Sequence, residues 1–326
     1  MLRAGVAGVG NLGKVHVRSL LALPDLVRVE ALADPVASRR TGQDLRTKGL
    51  NLGIGSEETA TTGAVRSYED YRELCRDQEL DVVVIATPSD LHAAAAVLAL
   101  ENGKHVFTEK PMALNVPDCR RMLDAARAAG RTLMVGHCLR FYPEYVAAGE
   151  IMKSGKYGKV LTASLGRHGG RPGGWFAQLE RSGGVNLDLH IHDIDTALWW
   201  WGRPDEVMSR TLDANPGAAA VLSQWRYANG PEVSLAASWD AGTSFFAYFR
   251  IILERATLVY EAGKLKVITK GNSELVDLTG QVGGHRAEIV YFIQCLIDGR
   301  PVERCRPDDS ALAVHYARGG RANERV

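Results

Sequence analysis

The sequence predicts an α/β protein of two domains. Residues 1–136 read as a domain built on a parallel sheet, and residues 137–326 as an α+β domain with a large, mostly antiparallel sheet. Three observations carry this. The 326 residues exceed what one hydrophobic core fills. In the first part, short valine-rich runs alternate with stretches of helical spacing, the pattern of βαβ units. In the second part, apolar runs follow one another with turn signals between them, the pattern of strands that pair in sequence.

Bulk composition narrows the function classes. An apolar fraction of 46% and a charged fraction of 24% are those of an ordinary globular protein. A formal net charge of +1 gives no support to a nucleic-acid or membrane-surface partner, since either favours a concentrated basic patch. No run approaches the ~18 apolar residues of a membrane span, and the first residues lack the regions of a signal peptide. The cysteines, five in number and without a CxxC pair, suit a reduced, cytoplasmic protein. No metal site is expected.

In the first domain, the strands fall near residues 3–8, 27–34, 81–87, 104–109 and 131–136, with a less regular piece at 61–67. Helical stretches follow the first glycines and recur near 35–47, 67–77, 89–101 and 115–129. The first strand-to-helix turn is Gly8-Val9-Gly10-Asn11-Leu12-Gly13, a GxGxxG in the context such a motif requires. Gly8 permits a tight turn, Gly10 lets the backbone approach a pyrophosphate, and Gly13 lets the helix sit close to the sheet. The helix start offers free N–H groups and a partial positive charge to phosphates. Asp34 ends the next strand and can accept hydrogen bonds from ribose hydroxyls while repelling a 2′-phosphate. These features predict a Rossmann dinucleotide-binding domain with NAD as cofactor. Arg39 and Arg40, one turn on, leave NADP use open. The bland alternative for Asp34 is a cap on a helix beginning near Pro35.

In open α/β sheets, ligands lie outside the carboxyl ends of the strands. Thr87-Pro88 and Glu109-Lys110-Pro111 both sit at such ends, so an acid, a base and a proline meet at the cofactor edge. Here the sequence resembles the Gfo/Idh/MocA oxidoreductases. The resemblance is carried by residues 5–16, 86–115, 136–145 and 182–195, with a weaker echo at 285–301. It implies an open second sheet with helices on one face and an oligomer contact on the other. It further implies a cis Lys110–Pro111 peptide, cofactor contacts from Thr87, Pro88, His92, Glu109 and Lys110, and catalytic roles for Lys110, Asp188 and His192.

The second domain carries strand-like runs near 158–167, 219–228, 231–240, 244–254, 256–260 and 264–270, with Asn229-Gly230 as a hairpin turn. All six tryptophans lie in it, and Trp175, after a glycine-rich stretch, is the one read as a substrate contact. A helix from about Asp188 would put Asp188, His192 and Asp195 on one face beside an apolar stripe of Ile191, Ile194, Leu198 and Trp201. An acid one turn before a histidine can orient it and raise its basicity. On such a helix His190 points ~160° away from His192, which argues against a shared metal ion. The family pattern usually has glycine where His190 stands. Arg140, Arg167, His168 and His285 are further pocket candidates.

What the resemblance implies chemically is hydride transfer between a nicotinamide cofactor and a CH–OH group of a sugar, cyclitol or related polyol. His192, held by Asp188, would be the base, and Lys110 would stabilise developing charge on the same oxygen. A glycosidase working by transient oxidation and a non-catalytic NAD-binding regulator are the rival readings. A homodimer or homotetramer is expected.

Overall fold

The computed structural model describes residues 1–47, 62–214, 218–240, 242, 244–322 and 324. The chain divides into two compact units, Met1–Phe141 with Val282–Ala311, and Tyr142–Gln281 with Leu312–Val326. This differs from a single boundary near residue 136. After the second sheet the chain returns to the first unit, which an apolar stripe on a late helix cannot announce from sequence.

The first unit is a six-stranded parallel sheet in the order β3-β2-β1-β4-β5-β6. Its strands are β1 (Leu2–Ala7), β2 (Val27–Ala33), β3 (Arg66–Tyr68), β4 (Val82–Ile85), β5 (His105–Glu109) and β6 (Leu133–Gly136). The helices between them are α1 (Asn11–Leu21), α2 (Tyr71–Arg76), α3 (His92–Glu101) and α4 (Val116–Ala129). Strand order reverses between β1 and β4, and such switch points are where ligands bind in these sheets. Strands β4 and β6, one central and one at the sheet's edge, are buried along their whole length, as strands covered on both faces must be. Asn115 opens α4 by accepting from the Asp118 N–H (2.9 Å), and Gly130 closes it in the left-handed region at φ 60°. The helix expected near 35–47 does not form in the described residues. Asp34 instead accepts from the Val36 N–H, and Gly42 at φ 67° takes the chain out of helical geometry. The expected piece at 61–67 includes Thr61, which lies outside the described residues; its end forms β3. The returning helix, α8 (Gly284–Asp298), packs Ile289, Phe292 and Ile293 into one core with Val6, Val17, Leu20 and Phe107.

The second unit is an eight-stranded open sheet in the order β14-β13-β12-β11-β7-β10-β9-β8. Its strands run from β7 (Val160–Gly170) and β8 (Glu206–Ala214) through β9 (Ala218–Arg226), β10 (Glu232–Asp240) and β11 (Phe246–Leu253) to β12 (Thr257–Glu261), β13 (Lys264–Thr269) and β14 (Asn272–Leu275). Every pairing is antiparallel except that of β7 with β10. One face is covered by α5 (Pro143–Lys153) and α7 (Ile191–Trp201), with a short α6 (Leu179–Ser182) before α7. Tyr145 and Trp200 both pack edge-on against Phe249 of β11, at 5.2 and 5.4 Å between ring centres. β8 is absent from the sequence expectation, its Met208 and Leu212 alternating with polar residues on an exposed edge strand. The division falls inside a last helix, α9 (Pro307–Ala317).

Candidate active site

The glycine turn is tight because nothing else fits. Gly8 has φ +86°, and a Cβ there would meet the Ala86 carbonyl oxygen at 2.5 Å. A Cβ on Gly13 would lie 1.9 Å from the Gly8 carbonyl oxygen. Gly10, the N-cap of α1, faces open space, with nothing within 4 Å of a built Cβ. A side chain there would fill the approach to the helix N-terminus, so the turn fits a phosphate-bearing group drawn to unpaired N–H donors. Asn11 and Leu12 form the first helical turn.

Asp34 is buried and braces this turn. Its Oδ2 accepts from the Val9 N–H (2.9 Å) and its Oδ1 from the Val36 N–H (2.8 Å). It is therefore no cap on a following helix. Each oxygen keeps a further acceptor site, which is what ribose hydroxyls require. Arg39, half exposed, brings Nη1 to 3.9 Å of Asp34 Oδ2, and Arg40 donates to the Asp34 carbonyl (2.9 Å).

His92 joins two neighbouring strand ends. Its Nδ1 lies 2.8 Å from the Pro111 carbonyl and its Nε2 3.0 Å from the Thr87 carbonyl. Burial pushes its pKa down, and a neutral imidazole carries one N–H, so it donates to one of the two at a time. Pro88 caps the 3₁₀ turn that leads into His92. The structure thus makes His92 a support for the turns after β4 and β5. The Lys110–Pro111 peptide is cis, and Lys110 is half-buried at the carboxyl end of β5.

Glu109 turns inward. It is 4% exposed, accepts from His16 Nε2 at 2.7 Å through Oε1, and accepts from the Lys110 N–H at 3.2 Å through Oε2. Burial opposes its charge, but His16, then His285 and Lys110, hold its pKa down. His285 and Glu288, one turn apart on α8, lie behind it, with His285 Nδ1 3.2 Å from Glu288 Oε1. Among the described residues, His16, Glu109 and Glu288 form a group whose potential ligand atoms lie within 4.8 Å of one another.

In the second unit, Asp188 sits in a π-helical turn (Asn186–His190) that leads into α7, and His192 is in the first turn of α7. The expected regular helix from Asp188 is therefore wrong in detail: the α-helical period holds only from Ile191. A π turn closes i→i+5 hydrogen bonds and widens the helix, and such turns recur at functional sites. Asp188 and His192 are both half-buried, while Asp195 is buried. His190 points into the sheet, its Nε2 2.8 Å from Ser223 Oγ on β9, and burial lowers its pKa to about 3.

Arg167 and His168 face opposite sides of β7, as neighbours on a strand must. Arg167 is buried and makes a two-pronged pair with Asp193 of α7, both contacts at 2.9 Å. His168 lies on the outer face, 2.7 Å from Ser238 Oγ and stacked on Phe246. The sheet therefore separates His168 from α7, so the two candidates cannot line one pocket with His192. Arg140, in the first unit, is also buried, donating to the Arg304 carbonyl at 2.8 Å while Arg304 Nε donates back to the Arg140 carbonyl at 2.8 Å. That reciprocal tie is a structural role. Trp175 is half-buried in a 3₁₀ turn and stacks on Phe176 at 3.8 Å between ring centres.

The sequence model described as an oxidoreductase family with an NAD-binding Rossmann fold matches residues 2–137. Its companion, the GFO/IDH/MocA C-terminal domain, matches residues 145–259. The chain belongs to the Gfo/Idh/MocA family. Among Gfo/Idh/MocA-like relatives, inositol 2-dehydrogenase of Salmonella typhimurium is 30% identical over 199 residues, covering 61% of this chain and 54% of that protein. The 2,7-anhydro-N-acetylneuraminate hydratase of Escherichia coli is 30% identical over 257 residues, 71% of this chain and 64% of that protein. The chain spans about half the length of the first of these relatives. A solved levoglucosan dehydrogenase in complex with NADH matches with a TM-score of 0.82 over 97% of this chain and 95% of that one, at 21% identity, a likeness of fold.

Two groups of residues in this Gfo/Idh/MocA chain escape the motif reading. His16 stands three residues past Gly13, and Glu288 three past His285. The i, i+3 spacing of His285 and Glu288 was the available signal for one face of a helix. Asp193 was hidden beside His192 in a run already assigned to catalysis.

Proposed function

We propose that this chain is an NAD-dependent dehydrogenase acting on a CH–OH group of a sugar, cyclitol or related polyol. The observation that carries the reading is the carboxyl edge of the first sheet in a chain of this family. There the Gly8–Gly13 turn, Asp34 and the Lys110–Pro111 turn stand on the ends of β1, β2 and β5. The open approach at Gly10 suits a pyrophosphate, and the acid at Asp34 favours NAD over NADP. When bound, NAD accepts the hydride. His192 takes the hydroxyl proton, a task an imidazole performs near neutral pH, and Asp188 orients it. Lys110 donates a hydrogen bond to the same oxygen as charge develops. The first unit serves the cofactor, and the second supplies most of the substrate contacts and the oligomer face.

A panel of polyols, sugars and glycosides with purified protein tests the reading. NADH absorbance should rise with one or more polyols. Release of an aglycone, or addition of water across the internal ether of an anhydro sugar, without net NADH would favour the second reading, redox-assisted cleavage, which the hydratase among the relatives recommends.

A homo-oligomer in the cytoplasm is part of the proposal. The sheet face away from α7 exposes Met208, Leu212, Leu222, Phe246 and Ile252 at 40–73%. Strand register puts all five on that face. An apolar face of this kind calls for burial. No helix among the described residues is long and apolar enough to cross a membrane. Light scattering that returns a monomer at micromolar concentration would overturn the oligomer.

A further inference from the structure

Behind the Glu109–Lys110 turn lies a group of four ionisable side chains from three elements, all buried: His16 on α1, Glu109 at the end of β5, and His285 and Glu288 on α8. Cys138, Lys110 and His92 are further titratable groups that act on them. The contacts form two sets, Lys110 N–H to Glu109 Oε2 at 3.2 Å with Glu109 Oε1 to His16 Nε2 at 2.7 Å, and His285 Nδ1 to Glu288 Oε1 at 3.2 Å, and polar atoms of His16, Glu109 and Glu288 lie within 4.8 Å of one another. Glu288 is 0% exposed, and its Oε2 has no hydrogen-bond partner.

Two carboxylates in one dry site repel each other, and an oxygen without a donor cannot offset the loss of water. One carboxyl must therefore keep its proton. Glu109 has two donors, from His16 and from its own chain, so it is the one that ionises. The 2.7 Å contact is the length of a charge-assisted hydrogen bond, with a proton rather than an ion between His16 and Glu109.

We propose that Glu288 is a neutral acid that, with His16 and His285, holds the Glu109 carboxylate inside the first unit and so positions the Lys110 turn. The assignment rests on the dehydrogenase reading only where it concerns turnover. Burial, and after it the charge of Glu109, drives the Glu288 pKa well above that of an ordinary carboxyl. Its proton then costs stability as pH rises. Below the unfolded pKa, roughly 4.3, Glu288 is neutral in both states; above it the unfolded chain releases a proton that the folded one must keep.

The test uses the full chain with Glu288→Gln, a neutral isostere, and Glu288→Ala. Melting temperatures are read between about pH 5 and pH 8, together with the infrared carbonyl band of neutral carboxylic acids. The Gln variant should gain on the wild type steadily as pH rises, and the neutral-acid band of the wild type at pH 7 should be missing from it. A gap that stays flat, or that moves against the Gln variant at high pH, overturns the proposal. So does a stoichiometric metal in purified protein that is lost with Glu288→Gln. If the Gln variant does not fold, the wild-type band decides alone, since its loss below pH 7 would mean an ionised Glu288. With any substrate found in the panel, Glu288→Gln should keep turnover within about twofold, while Glu288→Ala lowers kcat at least about tenfold with NADH affinity unchanged. Equal losses in both variants would refute a positioning role for the neutral acid. The melting and infrared arms stand even if no polyol is oxidised.

Discussion

The side chains behind Lys110 and those behind His192 are built from different chemistry. Behind Lys110, in the first unit, stand two imidazoles and two carboxyls whose charges depend on where protons sit. Behind His192, in the second unit, α7 is tied to β7 by Arg167 and Asp193 through two contacts of 2.9 Å. A guanidinium does not lose its proton in a protein, and its planar fork matches a carboxylate. The first brace is therefore open to pH and the second is closed to it near neutrality. A group that must keep a set direction is held by fixed charge. The Glu109–Lys110 turn is held by groups that can share protons.

The largest effects are expected at the two supported residues themselves. Lys110→Ala and His192→Ala should each lower turnover by about 10²–10⁴ with NADH binding retained, because neither residue lies in the glycine turn. If both serve one transition state, the double variant should lose less than the summed free energies of the singles. Strict additivity would break the link between the two regions.

Next in size is the fixed-charge brace. Asp193→Ala leaves Arg167 buried without its carboxylate and should cost about 3–5 kcal/mol in urea unfolding. Replacing both, with Arg167→Met and Asp193→Leu, should recover most of that loss, since apolar pairs of like volume often match a buried ion pair. A loss under ~1 kcal/mol for Asp193→Ala would mean that packing by Tyr145, Trp200 and Phe249 holds α7 unaided.

These contrasts also mark what the sequence discloses. The glycine turn, Asp34 and the Glu109–Lys110 edge were legible because each is a local consequence of a strand ending. The pattern of strand runs in the second domain carried the mostly antiparallel sheet in the same way. The brace was not legible, because His16 meets Glu109 across 93 positions and no period links them. The helix expected near residue 35 failed to competition from a side chain, Asp34, for the Val36 N–H. The π turn at 186–190 has no compositional mark, so helical arithmetic was carried three residues too far back from Ile191. Arg167 and His168 looked alike as polar residues at a strand end. Only the covering of one face by α7 distinguishes them.

The smallest expected effect sharpens the comparison by its sign. His190 is a titratable group of the second unit that burial holds neutral, bonded to Ser223 Oγ at 2.8 Å, with its pKa lowered to about 3. It is the mirror of Glu288, an imidazole without its proton where the first unit keeps a carboxyl with one. A depressed histidine contributes stability that is fully present above its unfolded pKa, roughly 6.5, and is lost as pH falls towards the folded value. Each pH unit within that window costs at most about 1.4 kcal/mol. His190→Gln removes this dependence and leaves one amide to meet Ser223. At pH 7 it should cost about 1 kcal/mol through imperfect packing and hydrogen bonding. Towards pH 5 the gap should close and then reverse, so that the variant melts above the wild type. Glu288→Gln should diverge in the opposite direction, gaining as pH rises. Melting curves of both variants across one pH series check the pair together. If His190→Gln stays below the wild type by the same margin at every pH, the imidazole takes up its proton in the folded state, and the distinction between the two buried neutral groups falls.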